Sequence, residues 1–254
     1  MESIVGSFRG DLFANKTILV SGGSSGVGLA LARGFAALGG NVIATGTSEQ
    51  KIQANRDESV NRGVEFIHLD VRDGAAVTDR MSKLARLDVI VNAAGIMSID
   101  EPFDEAAYLN VLDVNLHGAL RVALAGRPLL AQSRGSIINI VSMICFTGSP
   151  VMVAYTASKS ALKGLTHTLA HRFGREGIRV NAIAPGFHKT DMSAPVWSDP
   201  ESSERVVGRT ALGRWGEVND LVGAALFLAS PAAAYVTGET VVVDGGWLSG
   251  SGLG

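Results

Sequence analysis

A single α/β domain, with a seven-stranded parallel sheet doubly wound by helices on both faces, is the fold this sequence predicts for all 254 residues. Three observations carry the prediction. Seven short apolar runs rich in Val and Ile recur along the chain, each closed by a turn signal. Near-continuous hydrophobicity of this kind marks strands buried on both faces. Helical patterns lie between the runs, as βαβ units require. No Pro/Ser-rich linker and no repeat divides the chain.

The first run, TILVSGG, is followed by a helical pattern over Gly26–Leu38, and the second is NVIATGT. The third, VEFIHLDV, precedes a helix over Gly74–Leu84. The fourth, LDVIVNAAG, leads into one long helix over Ala106–Ala131. The fifth, GSIINIVS, ends at Ser142 and precedes a helix over Val153–Gly174. The sixth, IRVNAIAPG, breaks the alternation. It is followed by the longest polar-rich insertion, residues 187–216, before a helix over Val218–Leu228 and the last run, TVVVDGG. An insertion of that length in a compact domain is usually functional, and a substrate lid is expected there.

Composition narrows the function. With 46% hydrophobic and 18% charged residues the chain is globular. A net charge of −2 predicts no nucleic acid or other polyanion partner. The single Cys145 excludes an internal disulfide and fits a reducing, cytoplasmic setting. The N-terminus lacks the cationic and apolar regions of a signal peptide. Every hydrophobic segment is interrupted before about 18 residues, so no membrane span is expected. No metal is expected either.

The Gly residues cluster after apolar runs. In Ser21–Gly28 the spacing G-x-x-x-G-x-G falls at Gly22, Gly26 and Gly28, with Ser24, Ser25 and Val27 between them. A tight strand-to-helix turn of this type aims backbone N–H groups and a helix N-terminus at a pyrophosphate. An ordinary Gly/Ser-rich loop would read the same if it stood elsewhere. Here it joins the first strand to the first helix. Asp70 closes the third strand and Asn92–Gly95 the fourth. All three motifs fall on the carboxyl edge, where open α/β sheets bind ligands.

Tyr155 and Lys159 lie four residues apart in a helical run, so they share one face about a turn apart. Alone, that pattern also describes a surface pair. Ser142 stands upstream of them at a strand end, and Asn115 lies in the long helix. The ordered set of the glycine turn, Asp70, NAAG, Asn115, Ser142, Tyr155, Lys159, APG at Ala184–Gly186, Thr190 and the terminal VDGG resembles the short-chain dehydrogenase/reductase family in its one-domain form. Ser21 stands where that family usually has Thr, and Ala93 replaces the second Asn of NNAG.

The resemblance implies a Rossmann-type fold, an NAD or NADP cofactor, and a small secondary alcohol or ketone as substrate. It implies Tyr155 as general acid/base, with Ser142 steadying the substrate oxygen. Lys159 would bind the nicotinamide ribose, and Asn115 would join a water chain from Lys159 to solvent. Tyr is a poor base near neutrality, with a pKa of about 10; lowering it by about two units takes roughly 2.7 kcal/mol of differential interaction. A neighbouring Lys⁺ and the oxidised nicotinamide are expected to supply it. Asp70 and Val71 would frame the adenine. Asn92, Ala93, Ala94 and Gly95 would lie by the adenosine ribose, and Pro185, Gly186 and Thr190 by the nicotinamide half.

The 2′ position of the adenosine ribose is ambiguous. Gly46 stands where NAD-preferring relatives carry an acid, while Thr47, Ser48 and Lys51 offer hydrogen bonds but no Arg fork. Dual NAD and NADP use is expected, with discrimination of roughly 1–2 kcal/mol, and Gly46→Asp is expected to shift it toward NAD. Met143, Ile144, Phe146, Met152, His188, Met192 and Trp197 are expected to line the substrate pocket. Arg205, Arg209 and Arg214 offer themselves as a carboxylate clamp. Phrases such as VSMICFTG and VDGGWL are similar to the gluconate and 2-dehydro-3-deoxy-gluconate 5-dehydrogenase branch, which favours a polyol or sugar acid. A 3-oxoacyl-carrier-protein reductase is the enzymatic alternative. A catalytically idle nucleotide-binding or scaffolding protein is the alternative of another class. A homotetramer built on the two long helices is also implied.

Overall fold

The computed structural model describes residues 1–98 and 104–250. Its strands are β1 Thr17–Ser21, β2 Asn41–Gly46, β3 Val64–His68, β4 Val89–Asn92, β5 Ser136–Ile140, β6 Arg179–Pro185 and β7 Thr240–Val243. All pair in parallel, in the order β3-β2-β1-β4-β5-β6-β7. The winding reverses between β1 and β4, and the carboxyl ends of the strands open a crevice there. The register sets Ser21 beside Asn92 and Asn92 beside Asn139, so three strand ends meet at that point.

The helices are α1 Glu2–Val5, α2 Gly26–Ala37, α3 Glu49–Asp57, α4 Gly74–Ser82, α5 Glu105–Leu112, α6 Ala119–Ser133, α7 Val153–Phe173, α8 Ala194–Trp197, α9 Pro200–Arg209 and α10 Val222–Ala229. Successive side chains of β1 enter opposite layers. Ile18 and Val20 pack with Phe35 of α2 and Leu226 of α10. Leu19 packs with Val122 of α6 and Phe173 of α7. Two buried faces are why the strands read as unbroken apolar runs. At the amino edge, buried Asp88 accepts hydrogen bonds from Lys16, Arg86 and the Thr17 amide, tying the starts of β1 and β4 together. No helix among the described residues is long and apolar enough to cross a membrane.

Several elements depart from the expectation. α3 was not foreseen, because it buries only Ile52 and Asn55 and shows no apolar period. The long helix is not continuous: a π-helical turn, Asp113–Gly118, separates α5 from α6. Residues 187–216 are not only loop. They contain α8 and α9, and α9 starts on an Asp199 cap with Pro200 at its first position, a readable start signal. The helix expected from Val218 opens as a 3-10 turn, Val218–Leu221, before α10. β3 and β5 close at His68 and Ile140, so Asp70 and Ser142 lie just beyond the strands.

Candidate active site

One cavity of about 910 Å³ runs along the carboxyl edge of the sheet, from the glycine turn to the loops after β5 and β6. At its first wall, Gly22 and Gly26 adopt left-handed φ of 71° and 52°. A Cβ on Gly22 would lie 2.5 Å from the backbone of Ala94, and one on Gly28 would strike the Gly22 carbonyl. The glycines therefore let α2 start close against β1 and β4. Ser25 caps α2 with no side-chain bond, and no acid stands in the first turn, so the N-terminal amides face the cavity without a local anion. A Cβ on Gly95 would sit 3.4 Å from both Lys159 Nζ and Asn115 Oδ1. The bare glycine preserves that space. An amide-lined turn, an open helix N-terminus and a Cβ-free cradle fit a dinucleotide cofactor.

Most of the expected cofactor residues line this cavity: Gly22, Ser24, Ser25, Gly26, Val27, Gly28, Gly46, Thr47, Asp70, Val71, Ala93, Ala94, Gly95, Pro185, Gly186 and Thr190. Two do not. Asn92 is buried within the sheet, where Nδ2 donates to Asn139 Oδ1 at 2.8 Å. The register that aligns the two strand ends engages its Nδ2, while its Oδ1 is buried without a partner among the described residues. Ser48 turns inward as the cap of α3, its Oγ accepting from the Lys51 amide at 3.3 Å. Asp70 is held by a two-pronged bond from Arg72, with contacts of 2.6–3.1 Å. That bond keeps its carboxyl below the ordinary carboxylate range. Lys51 reaches Asp191 at 2.9 Å, spanning from α3 to the segment after β6.

A Cβ on Gly46 would strike the Ser24 side chain, so Gly46→Asp requires Ser24 to move.

Ser142, Tyr155 and Lys159 converge past the end of β5 and line the cavity together. Ser142 is extended and caps a 3-10 turn, Met143–Phe146, which points its hydroxyl toward α7. Lys159 is buried and donates from Nζ to the Ile140 carbonyl at 2.7 Å, with Nζ 5.6 Å from the centre of the Tyr155 ring. Burial pushes the Tyr155 phenol up to about 12, with a hydrogen bond to Ser142 pulling the other way. Burial also pushes Lys159 down to about 8. The lowered phenol expected from the Tyr–Lys spacing is therefore not a property of the protein alone. Loss of hydration outweighs the Ser142 hydrogen bond.

Asn115 sits in the π-helical turn, fully buried. Its Nδ2 donates to the Ile96 carbonyl and to Ser158 Oγ, both at 3.0 Å, and its Oδ1 accepts from the Ile96 amide at 2.8 Å. Its side chain joins the loop after β4 to α7.

On the substrate side, Met143, Ile144, Met152, His188 and Met192 line the cavity. Phe146 and Trp197 do not. Phe146 is 44% exposed beneath the Lys163 ammonium, and the Trp197 indole donates to the Thr190 carbonyl. Two of the three lid arginines are engaged by acids and none of the three lines the cavity. Arg205 pairs with Glu201, Arg214 pairs with Asp220, and Arg209 lies 3.6 Å from the centre of the Trp247 ring. Met97, Val151, Phe187 and Trp247 also line the cavity and were not foreseen. They lie in loops, where no periodicity marks them, although Trp247 belongs to the terminal VDGGWL phrase.

The comparisons with known proteins agree with this geometry. A family model described as enoyl-(acyl carrier protein) reductase matches residues 22–248. The 2-dehydro-3-deoxy-D-gluconate 5-dehydrogenase of Bacillus subtilis is 39% identical over 92% of this chain and 95% of its own length. A 3-oxoacyl-[acyl-carrier-protein] reductase of Chlamydia trachomatis is 37% identical over 92% and 98%. The crystal structure of a gluconate 5-dehydrogenase from Burkholderia cenocepacia, in complex with NADP and tartrate, superposes with a TM-score of 0.87 at 32% identity, covering 95% of this chain and 99% of that one. With its switch-point crevice, glycine turn and Ser–Tyr–Lys convergence, the chain belongs to the short-chain dehydrogenase/reductase family of NAD(P)-dependent oxidoreductases acting on CH–OH groups.

Proposed function

We propose that the protein interconverts a small secondary alcohol and its ketone, with Tyr155 moving the proton. The observation that carries this is the meeting of Ser142, Tyr155 and Lys159 in the same cavity as the glycine turn. The nicotinamide, when bound, supplies the hydride acceptor or donor. The amides of the glycine turn and the start of α2 would hold its pyrophosphate, and Lys159 would hold its ribose hydroxyls. Ser142 hydrogen-bonds the reacting oxygen. In reduction the Tyr155 phenol donates its proton to that oxygen as the carbon–oxygen double bond becomes single. In oxidation the phenolate receives the proton. Because burial holds the phenol well above neutral pH, the proton-donating form is the resting one, and oxidation gains from alkaline conditions and from added positive charge.

Residues 187–216 act as the cover of the substrate end, and cofactor use is dual. The protein works in the cytoplasm as a homotetramer joined through the helical stretch of residues 106–131 and through α7. By likeness to the gluconate and 2-dehydro-3-deoxy-gluconate dehydrogenases, a sugar acid or polyol is the first substrate class. The likeness to an acyl-carrier-protein reductase supports a second reading, which requires a basic entrance for an acidic carrier. The test is absorbance of the reduced cofactor on mixing protein, NAD⁺ or NADP⁺, and a panel of polyols, sugar acids and simple secondary alcohols. Turnover of any of them supports the reading. Tight cofactor binding with no turnover of any panel member would mark an idle nucleotide binder.

A further inference from the structure

We propose that the substrate end of the cavity selects an uncharged ketone or secondary alcohol with an apolar arm beside the reacting carbon; this rests on the dehydrogenase reading above and departs from the sugar-acid class that likeness to relatives puts first. Four of the chain's six methionines, Met97, Met143, Met152 and Met192, line this one cavity. They come from four separate places in the chain: the loop after β4, the 3-10 turn after β5, the residue before α7 and the segment after β6. Phe187 and Trp247 join them, their rings 5.7 Å apart edge to face. Methionine side chains are flexible and polarizable, and they mould to apolar groups of varied shape.

The charges are as informative. Lys51, Arg72 and Lys159 are the Lys and Arg residues that line the cavity among the described residues. Each is engaged: Lys51 by Asp191, Arg72 by Asp70, and Lys159 by the Ile140 carbonyl. The first two stand past β2 and β3, at the adenosine end. His188 lines the substrate end, but burial disfavours its cation and its Nδ1 lies 3.2 Å from the Gly186 carbonyl. Thr147 and Ser149 from the loop after β5, and Thr190, Asp191 and Ser193 from the segment after β6, add polar side chains to the lining but no cation. Residues 99–103, outside the described residues, are Ile-Asp-Glu-Pro-Phe and bring no cation by sequence. Arg209 stacks 3.6 Å from the centre of the Trp247 ring but does not itself line the cavity, so against the described lining residues a substrate carboxylate would lose its hydration on methionine and tryptophan without meeting an unengaged cation. An apolar arm gains from the same wall.

The test compares matched ketones in the NADPH- and NADH-dependent direction: 5-oxohexanoate, its methyl ester, and 2-heptanone, with 5-dehydrogluconate as the sugar-acid reference. The ester and 2-heptanone are expected to exceed both acids at least tenfold in kcat/KM. The loss is expected in KM more than in kcat. Met152→Arg is expected to narrow the ester-to-acid ratio at least tenfold, with cofactor Kd unchanged by fluorescence titration. A kcat/KM for 5-dehydrogluconate equal to or above that of the ester would overturn this inference and leave the dehydrogenase reading standing. Absence of turnover with all four, in protein that binds cofactor, would overturn both.

Discussion

Lys159→Met is expected to make the cofactor-free protein more stable while it damages function. The ammonium is buried, and its pKa falls from the ordinary 10.5 to about 8. At ~1.4 kcal/mol per unit this is a penalty of about 3 kcal/mol on the charged form at neutral pH. The sign follows from proton counts. Between pH 8 and 10.5 the unfolded chain holds the proton that the folded protein has released, so wild-type stability rises with pH through that window. Below pH 8 the whole penalty stands. Methionine removes it, but leaves the Ile140 carbonyl without its 2.7 Å donor, a loss of about 1–2 kcal/mol. The net expectation at pH 7 is a gain of about 1–2 kcal/mol, or roughly 2–6 °C in Tm for a chain of this size. Thermal unfolding followed by circular dichroism at pH 7 and pH 10, without cofactor, measures it. The gap between variant and wild type should shrink at pH 10. A variant less stable than wild type at pH 7, or a gap the same at both pH values, would refute the reasoning. In the same variant, cofactor Kd should rise.

Further outcomes follow from the geometry. Gly28→Ala sets a methyl against the Gly22 carbonyl and should raise cofactor Kd at least about tenfold, read by fluorescence titration. Gly46→Asp alone should lower stability and leave NAD preference largely unimproved, because Ser24 blocks it; Ser24→Gly with Gly46→Asp should favour NAD, read as the ratio of kcat/KM for the two cofactors. Asp88→Asn should cost about 2–3 kcal/mol in denaturant unfolding, since it strips a buried carboxylate from Lys16 and Arg86. Oxidation rate should climb from pH 7 toward pH 9 as the elevated Tyr155 phenol is titrated; a flat profile would contradict a phenolate base.

The strands were legible because burial on two faces writes unbroken apolar runs, and the glycine turn because its spacing is dictated by the close approach of Gly28 to Gly22. Tyr155 and Lys159 were legible because helical spacing fixes their shared face. What sequence concealed has physical reasons. α3 is polar on nearly every side, so it carries no period. A π-helical turn at Asn115 leaves the apolar pattern of a long helix almost unchanged. Asn92 and Ser48 looked like ligand contacts, but neighbouring strands and a helix start claimed them first. The raised Tyr155 phenol of the protein by itself was not legible, because spacing reports proximity and says nothing of desolvation. Three methionines of the wall, Met143, Met152 and Met192, were legible as pocket residues, and Met97 was not, since it lies in a loop that no periodicity marks.

The central claim is that Tyr155 carries the proton. Its most direct test is Tyr155→Phe, assayed by reduced-cofactor absorbance with whichever alcohol or ketone the wild type turns over, and with cofactor Kd measured on the same preparation. The ring stays and only the hydroxyl is lost. The account predicts a fall in kcat of at least about a hundredfold with cofactor binding nearly unchanged. Turnover within a few-fold of wild type would contradict it.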